Sequence, residues 1–196
     1  MLKRLIFGAL ALIAFTAPAF AHLDPGERGS FMAGLSHPLF GLDHILAMVA
    51  VGFWAALIGG RAIWAVPSAF VGTMVAGFAL ALVGAPLPFV EPAILASVVV
   101  LGLLVALALP VPVWAGAAVA GAFALFHGHA HGGELGAAAL AEFGAGFAVS
   151  TALLHGAGIA LGLGIGGLFG EGAKRIVTRS LGALTALGGV WLAFGS

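Results

Sequence analysis

Two kinds of residue are scarce in this chain of 196 residues, and each scarcity excludes a class of function. The chain has no cysteine, which excludes disulfides, thiolate metal sites and a cysteine nucleophile, so any metal ligand must be a nitrogen or oxygen atom. Only 7% of the residues are Asp, Glu, Lys or Arg, against roughly 25% in a soluble protein. Seven basic residues balanced by seven acidic ones leave no basic surface for nucleic acid.

Apolar residues, in contrast, make up 62% of the chain, which is too many for a core alone, so they must face lipid. The apolar runs are too long for strands, and the alternation of a membrane β-barrel is absent. We therefore predict an all-α integral membrane protein, with a bundle of six transmembrane helices. The predicted spans are about 38–58, 62–83, 92–109, 113–126, 136–166 and 177–194. The fourth is short, and the fifth is long enough to tilt, kink or project.

The N-terminus has the pattern of a secretory signal peptide. Lys3 and Arg4 precede a short apolar stretch that ends in Ala-Phe-Ala at residues 19–21, and Pro18 breaks the run before it reaches the length of a span. The alternative is an additional N-terminal transmembrane helix. We predict cleavage after residue 21, which leaves residues 22–196 as a single six-helix domain.

Export of the N-terminus and the distribution of basic residues predict the same orientation. Alternation of the spans places four of the five basic residues that follow the signal peptide on the cytoplasmic side: Arg61, Lys174, Arg175 and Arg179. We therefore expect a protein of the bacterial inner membrane whose mature N-terminus and C-terminus are both periplasmic.

The first polar constellation is the stretch His-Pro-Leu-Phe-Gly-Leu-Asp-His at residues 37–44. Because proline suits the first turn of a helix, we expect Pro38 to begin the first span. His37 and His44 would then share one helix face, about 10.5 Å apart along the axis, so other spans would have to complete a metal site. Asp43 beside His44 could also be a buried ion pair with a structural role.

The second constellation is Phe-His-Gly-His-Ala-His-Gly-Gly-Glu at residues 126–134. If this stretch is helical, His127, His131 and Glu134 form one stripe, while His129 points elsewhere. Three histidines and a carboxylate so close together predict metal binding, and a solvated polar cap is the alternative. The Gly132-Gly133 pair favours fraying or a re-entrant turn.

Four further residues are candidate metal ligands, either on the periplasmic side of the membrane or along a path for ions through the bundle. Glu91 and Glu142 lie near the outer ends of the third and fifth spans. His155, inside the fifth span, is either a packing residue or a further step along a path. Cleavage after residue 21 would give His22 a free α-amine. The amine and the imidazole together could chelate an ion at the periplasmic entrance of the path.

Imidazole and carboxylate ligands without thiolates suit Ni²⁺, Co²⁺, Zn²⁺ or Cu²⁺ and disfavour Cu(I), Mg²⁺ and Ca²⁺. A structural metal would have its ligands at one depth, whereas these ligands extend from the exported tail into the membrane. The distribution therefore indicates a path for ions. Because ligand histidines must be neutral to bind, we expect uptake to fall below about pH 6.

Residues 37–44 match the HPxxGxDH signature of the HupE/UreJ family of nickel and cobalt permeases, and residues 126–134 and 154–156 resemble that family's later histidine motifs. The resemblance covers essentially the whole chain. It implies import of Ni²⁺, or alternatively Co²⁺, for hydrogenase or urease maturation, with Zn²⁺ as a surrogate and no resident cofactor. It also implies the transport residues His37, Asp43, His44, His127, His131 and Glu134.

Two other functions fit the histidines less well. An intramembrane zinc hydrolase could use them with Asp43 and with Ser36 or Ser150, but the H-E-x-x-H pattern is absent and there are more ligands than one zinc needs. A haem-binding electron carrier needs two histidines at matched depth. The chain also lacks a phosphate-binding loop, because Ala173 stands where such a loop needs lysine.

Overall fold

The computed structural model describes residues 31–132 and 140–195, and these residues form seven α-helices and no strand. The helices are α1 Phe31–Phe40, α2 Leu42–Ile58, α3 Ala62–Leu82, α4 Val90–Leu107, α5 Val113–Gly132, α6 Leu140–Leu168 and α7 Glu171–Phe194. The predicted all-α fold is confirmed. The predicted signal peptide, residues 1–21, lies outside the described residues.

The lengths and composition of the helices fit a membrane bundle. Helices α3 to α7 are each long and apolar enough to cross a membrane, and α1 and α2 together qualify as a further span that is bent by 86°. Large apolar side chains such as Leu153 and Leu187 stay exposed, as expected for surfaces that face lipid. Helix α6 has 29 residues and is about 43 Å long, so it exceeds a hydrocarbon core of about 30 Å, as its sequence indicates.

The beginning of the first span differs from the prediction. Pro38 does not open a helix but lies inside α1, and the chain breaks at Gly41 before α2 begins. His37 and His44 therefore belong to different helices, and the prediction that they share one helix face is wrong. The physical reason is that proline lacks the N–H that the interior of a helix requires, so Pro38 weakens α1, which ends two residues later at Phe40.

The bundle is built from helix pairs that lie side by side. Helix α3 packs along α5, α2 along α6, and α4 along α7, while α1 lies against α6. The α3–α5 pair is close because Gly128 has no side chain: a Cβ there would collide with the backbone carbonyl of Met74. This approach carries the histidines of α5 into the centre of the bundle.

Candidate metal site

The break between α1 and α2 turns three polar side chains toward one point. Gly41 is extended, with φ −89° and ψ 114°, and a Cβ on it would lie 2.8 Å from both Oδ1 of Asp43 and Nδ1 of His44. Glycine is therefore needed here to make room for the two side chains that fold back over the bend. The break also brings the rings of His37 and His44 to a centroid distance of 5.8 Å.

Three histidines from three helices meet at this bend. One ring nitrogen from each of His37 on α1, His44 on α2 and His131 on α5 lies within 4.8 Å of the others, and the group could hold a metal ion. The Nε2 atoms of His44 and His131 are 2.9 Å apart, and both side chains are buried. Two ligands at about 2.05 Å from a metal and at right angles to each other are also separated by about 2.9 Å. We call these three residues the outer cluster.

Asp43 approaches the outer cluster from the side. Its Oδ1 atom lies 3.0 Å from Nδ1 of His44, which is close enough for an ion pair, although the angle falls short of a hydrogen bond. A carboxylate on one ring nitrogen favours a proton there and leaves the other nitrogen, Nε2, able to bind a metal. Asp43 is thus placed to orient His44 as well as to supply negative charge.

Two phenylalanines of α6 cover the outer cluster. The ring of Phe147 lies 5.0 Å from that of His131 and 6.1 Å from that of His44, and the ring of Phe143 lies 5.8 Å from that of His37. Both phenylalanines are buried. An apolar cover of this kind keeps water from the ligands and strengthens electrostatic interactions beneath it.

Further into the bundle, the buried rings continue in a row. His127 on α5 lies 5.2 Å from His44, Phe70 on α3 lies 5.7 Å from His127, and His155 on α6 lies 5.0 Å from Phe70. His155 is 1% exposed, and neither of its ring nitrogens has a hydrogen-bond partner. A buried polar group without a partner is costly, so a group that binds either ring nitrogen of His155 would stabilise it.

Three further candidates among the described residues, His129, Glu91 and Glu142, do not join the outer cluster. His129 is bonded to the backbone, since its Nε2 donates to the carbonyl of Ala85 at 2.8 Å. Glu91, in the first turn of α4, and Glu142, near the start of α6, are exposed. His22 and Glu134 lie outside the described residues, so their proposed roles stay predictions.

Four residues around the histidines were not singled out by the sequence: Phe70, Ser97, Phe143 and Phe147. Phenylalanine is common in an apolar chain, so its spacing carries little information about a site. A buried serine among the apolar residues of α4 was a weak signal for Ser97, but nothing in the sequence connects it to a histidine 30 residues later.

Comparisons with known proteins identify the family to which the chain belongs. A family model described as HupE / UreJ protein matches residues 10–192. The chain is 48% identical over 188 residues to "Protein HupE" of Rhizobium leguminosarum bv. viciae, and the match covers 95% of each chain. No solved structure matches. The chain therefore belongs to the HupE/UreJ family.

Proposed function

We propose that this protein is a permease that imports a divalent transition metal ion, Ni²⁺ first and Co²⁺ second, across the bacterial inner membrane. The observation that carries the proposal is the outer cluster. Imidazole nitrogens from His37, His44 and His131 converge within 4.8 Å inside an apolar bundle. Three nitrogen ligands without thiolates suit Ni²⁺ and Co²⁺.

The ligands continue beyond one site, and this supports transport over hydrolysis. A catalytic zinc needs three ligands and an open position for water. Here His127 and His155 extend the row of rings past the outer cluster toward the middle of α6. Membership of the HupE/UreJ family, whose signature implies permeases, favours the same conclusion.

The direction of transport follows from the orientation that the charges predict. The outer cluster lies at the bend before α2 and in the last turn of α5. Arg61 immediately precedes α3, and Lys174 lies in the first turn of α7, so both basic residues lie at the other end of the bundle. Arg61 and Lys174 would face the cytoplasm, so the outer cluster would face the periplasm. We further propose that residues 1–21 are cleaved and that both mature termini are periplasmic.

The membrane potential can drive this import without ATP. Moving a doubly charged ion down about 100 mV releases about 4.6 kcal/mol. That free energy supports about a thousandfold accumulation. Delivery of the ion for hydrogenase or urease maturation is the role that the family resemblance implies.

Uptake of radioactive Ni²⁺ into proteoliposomes with an imposed inside-negative potential tests the proposal. We expect uptake by the wild type, a loss of about 100-fold or more in His44→Gln, and near-normal uptake in His129→Gln. His129 is a matched control because it is also a helical histidine but donates to a backbone carbonyl outside the outer cluster. Wild-type uptake no higher than in empty liposomes would refute the proposed function.

A further inference from the structure

Ser97 is a fully buried serine on α4, and its hydroxyl contacts two groups. The Oγ atom lies 2.6 Å from the backbone carbonyl of Ile94 and 3.0 Å from Nε2 of His127. Helix α4 thereby touches the row of histidines through a single polar side chain. No motif in the sequence connects the two residues.

The hydrogen atoms of this arrangement can be assigned. A hydroxyl has one hydrogen, and a carbonyl only accepts, so the 2.6 Å contact requires Ser97 to donate to Ile94. The same oxygen must then accept from His127, and the hydrogen between them belongs to Nε2. In a neutral imidazole the other nitrogen, Nδ1, consequently carries a lone pair and no hydrogen.

The Nδ1 atom of His127 is buried and has no hydrogen-bond partner. A bare lone pair in an apolar interior is unfavourable unless something binds it. Its ring stands between His44 of the outer cluster and Phe70, beyond which His155 lies. The lone pair thus belongs to the first buried ring beyond the outer cluster, which an ion that leaves the cluster would reach next.

We propose that Ser97 is a positioning residue that holds His127 in the Nε2–H tautomer and so keeps Nδ1 free to bind the transported ion. The inference rests on the proposed function for the identity of the ligand. The hydrogen bond on Nε2 also makes Nδ1 more basic and fixes the ring, as partners of metal-binding histidines commonly do.

The tautomer can be measured by ¹⁵N NMR on the full chain with labelled histidine, the His127 signals being assigned by their loss in His127→Gln. We expect a protonated Nε2 and a bare Nδ1 in the wild type without metal, and a shift of the Nδ1 signal on addition of Zn²⁺, a diamagnetic probe. Ser97→Ala should populate the Nδ1–H form, and Ser97→Thr, which keeps a hydroxyl, should restore the wild-type signals. An Nδ1–H tautomer in the wild type, or an unchanged tautomer in Ser97→Ala, would overturn the proposal.

Uptake of Ni²⁺ tests whether the position of the His127 hydrogen matters for transport. We expect about a 10–100-fold loss in Ser97→Ala, recovery in Ser97→Thr, and near wild-type uptake in the control Ser150→Ala. Ser150 is also a buried serine, and the hydrogen bonds to histidine in the described part of the chain do not involve it. Equal uptake by Ser97→Ala and the wild type would contradict the positioning role. Absence of uptake in the wild type would instead refute transport, while the NMR result would still decide the role of Ser97.

Discussion

The outer cluster and His155 show two ways in which a membrane bundle can hold histidine. In the outer cluster, side chains of three helices converge, and the Nε2 atoms of His44 and His131 are 2.9 Å apart. His155 is more deeply buried than these three histidines, but both of its ring nitrogens lack hydrogen-bond partners, and its ring lies 5.0 Å from that of Phe70. The first arrangement offers three converging ligands for an ion, whereas the second offers one, which suits the proposed role of His155 as a step along the path.

We therefore expect the outer cluster to determine the affinity for the ion, and His155 to affect the rate at which the ion passes through the protein. A site with three converging ligands sets how tightly an ion binds, because each nitrogen adds a metal bond. Under the proposed function, a lone ligand such as His155 would lower the barrier to the next step and contribute little to equilibrium binding. Substitutions in the two regions should therefore change different measured quantities.

Among the substitutions that compare the outer cluster with His155, Asp43→Asn should have the largest effect. The amide lacks the charge that favours a proton on Nδ1 of His44, 3.0 Å away, so Nε2 becomes a poorer ligand. We expect Ni²⁺ affinity and uptake to fall together by about 10–100-fold, measured by titration calorimetry and proteoliposome flux. Equal flux through Asp43→Asn and the wild type would show that this carboxylate does not contribute to transport.

His155→Leu tests the inner region. If His155 is a step along the proposed path, its replacement should lower uptake about tenfold, which corresponds to a barrier rise of about 1.4 kcal/mol, and leave the Kd for Ni²⁺ unchanged. Stopped-flow uptake and equilibrium binding on the same preparation give the two numbers. If His155→Leu also weakened the binding of Ni²⁺ about tenfold, the proposed difference between the outer cluster and His155 would be wrong.

Gly41→Ala should weaken the outer cluster without breaking the helices. Its φ of −89° suits any residue, but the new Cβ would lie 2.8 Å from the polar atoms of Asp43 and His44 and push them aside. We expect a loss of about 1 kcal/mol in Ni²⁺ binding, or about fivefold in Kd. Gly156→Ala is the matched control, because a Cβ there meets no atom within 4 Å and should leave the Kd unchanged.

His22→Ala should have the smallest effect. If cleavage after Ala21 creates an amine–imidazole chelate, it acts on the capture of ions at the mouth, so its loss lowers uptake by about two- to threefold and only when Ni²⁺ is limiting. Sequencing the N-terminus of the purified protein establishes the cleavage. Wild-type uptake by His22→Ala at limiting Ni²⁺ would end this hypothesis.

The sequence predicted the spans and most of the cluster, but not how the cluster is assembled. Residue type and spacing were enough for most of the helices, but the prediction of a short fourth span that ends at residue 126 is wrong, because α5 continues through the histidines to Gly132. The His-Pro and His-Gly-His motifs identified His37, His44 and His131. The bend at Gly41 is not predictable from the motif, because a proline three residues earlier suits the beginning of a span as well as the last turns of a short helix before a break. Ser97 and Phe147 were missed because contacts between distant helices leave no periodic signal in a chain that is apolar on every face.

X-ray absorption at the Ni K-edge on purified, Ni²⁺-loaded protein tests the outer cluster most directly, because it counts the imidazole ligands of the bound ion. We predict three imidazoles in the wild type, two in His131→Gln, and three in both His129→Gln and His155→Leu. A spectrum without imidazole ligands, or one that His131→Gln leaves unchanged, would contradict the account.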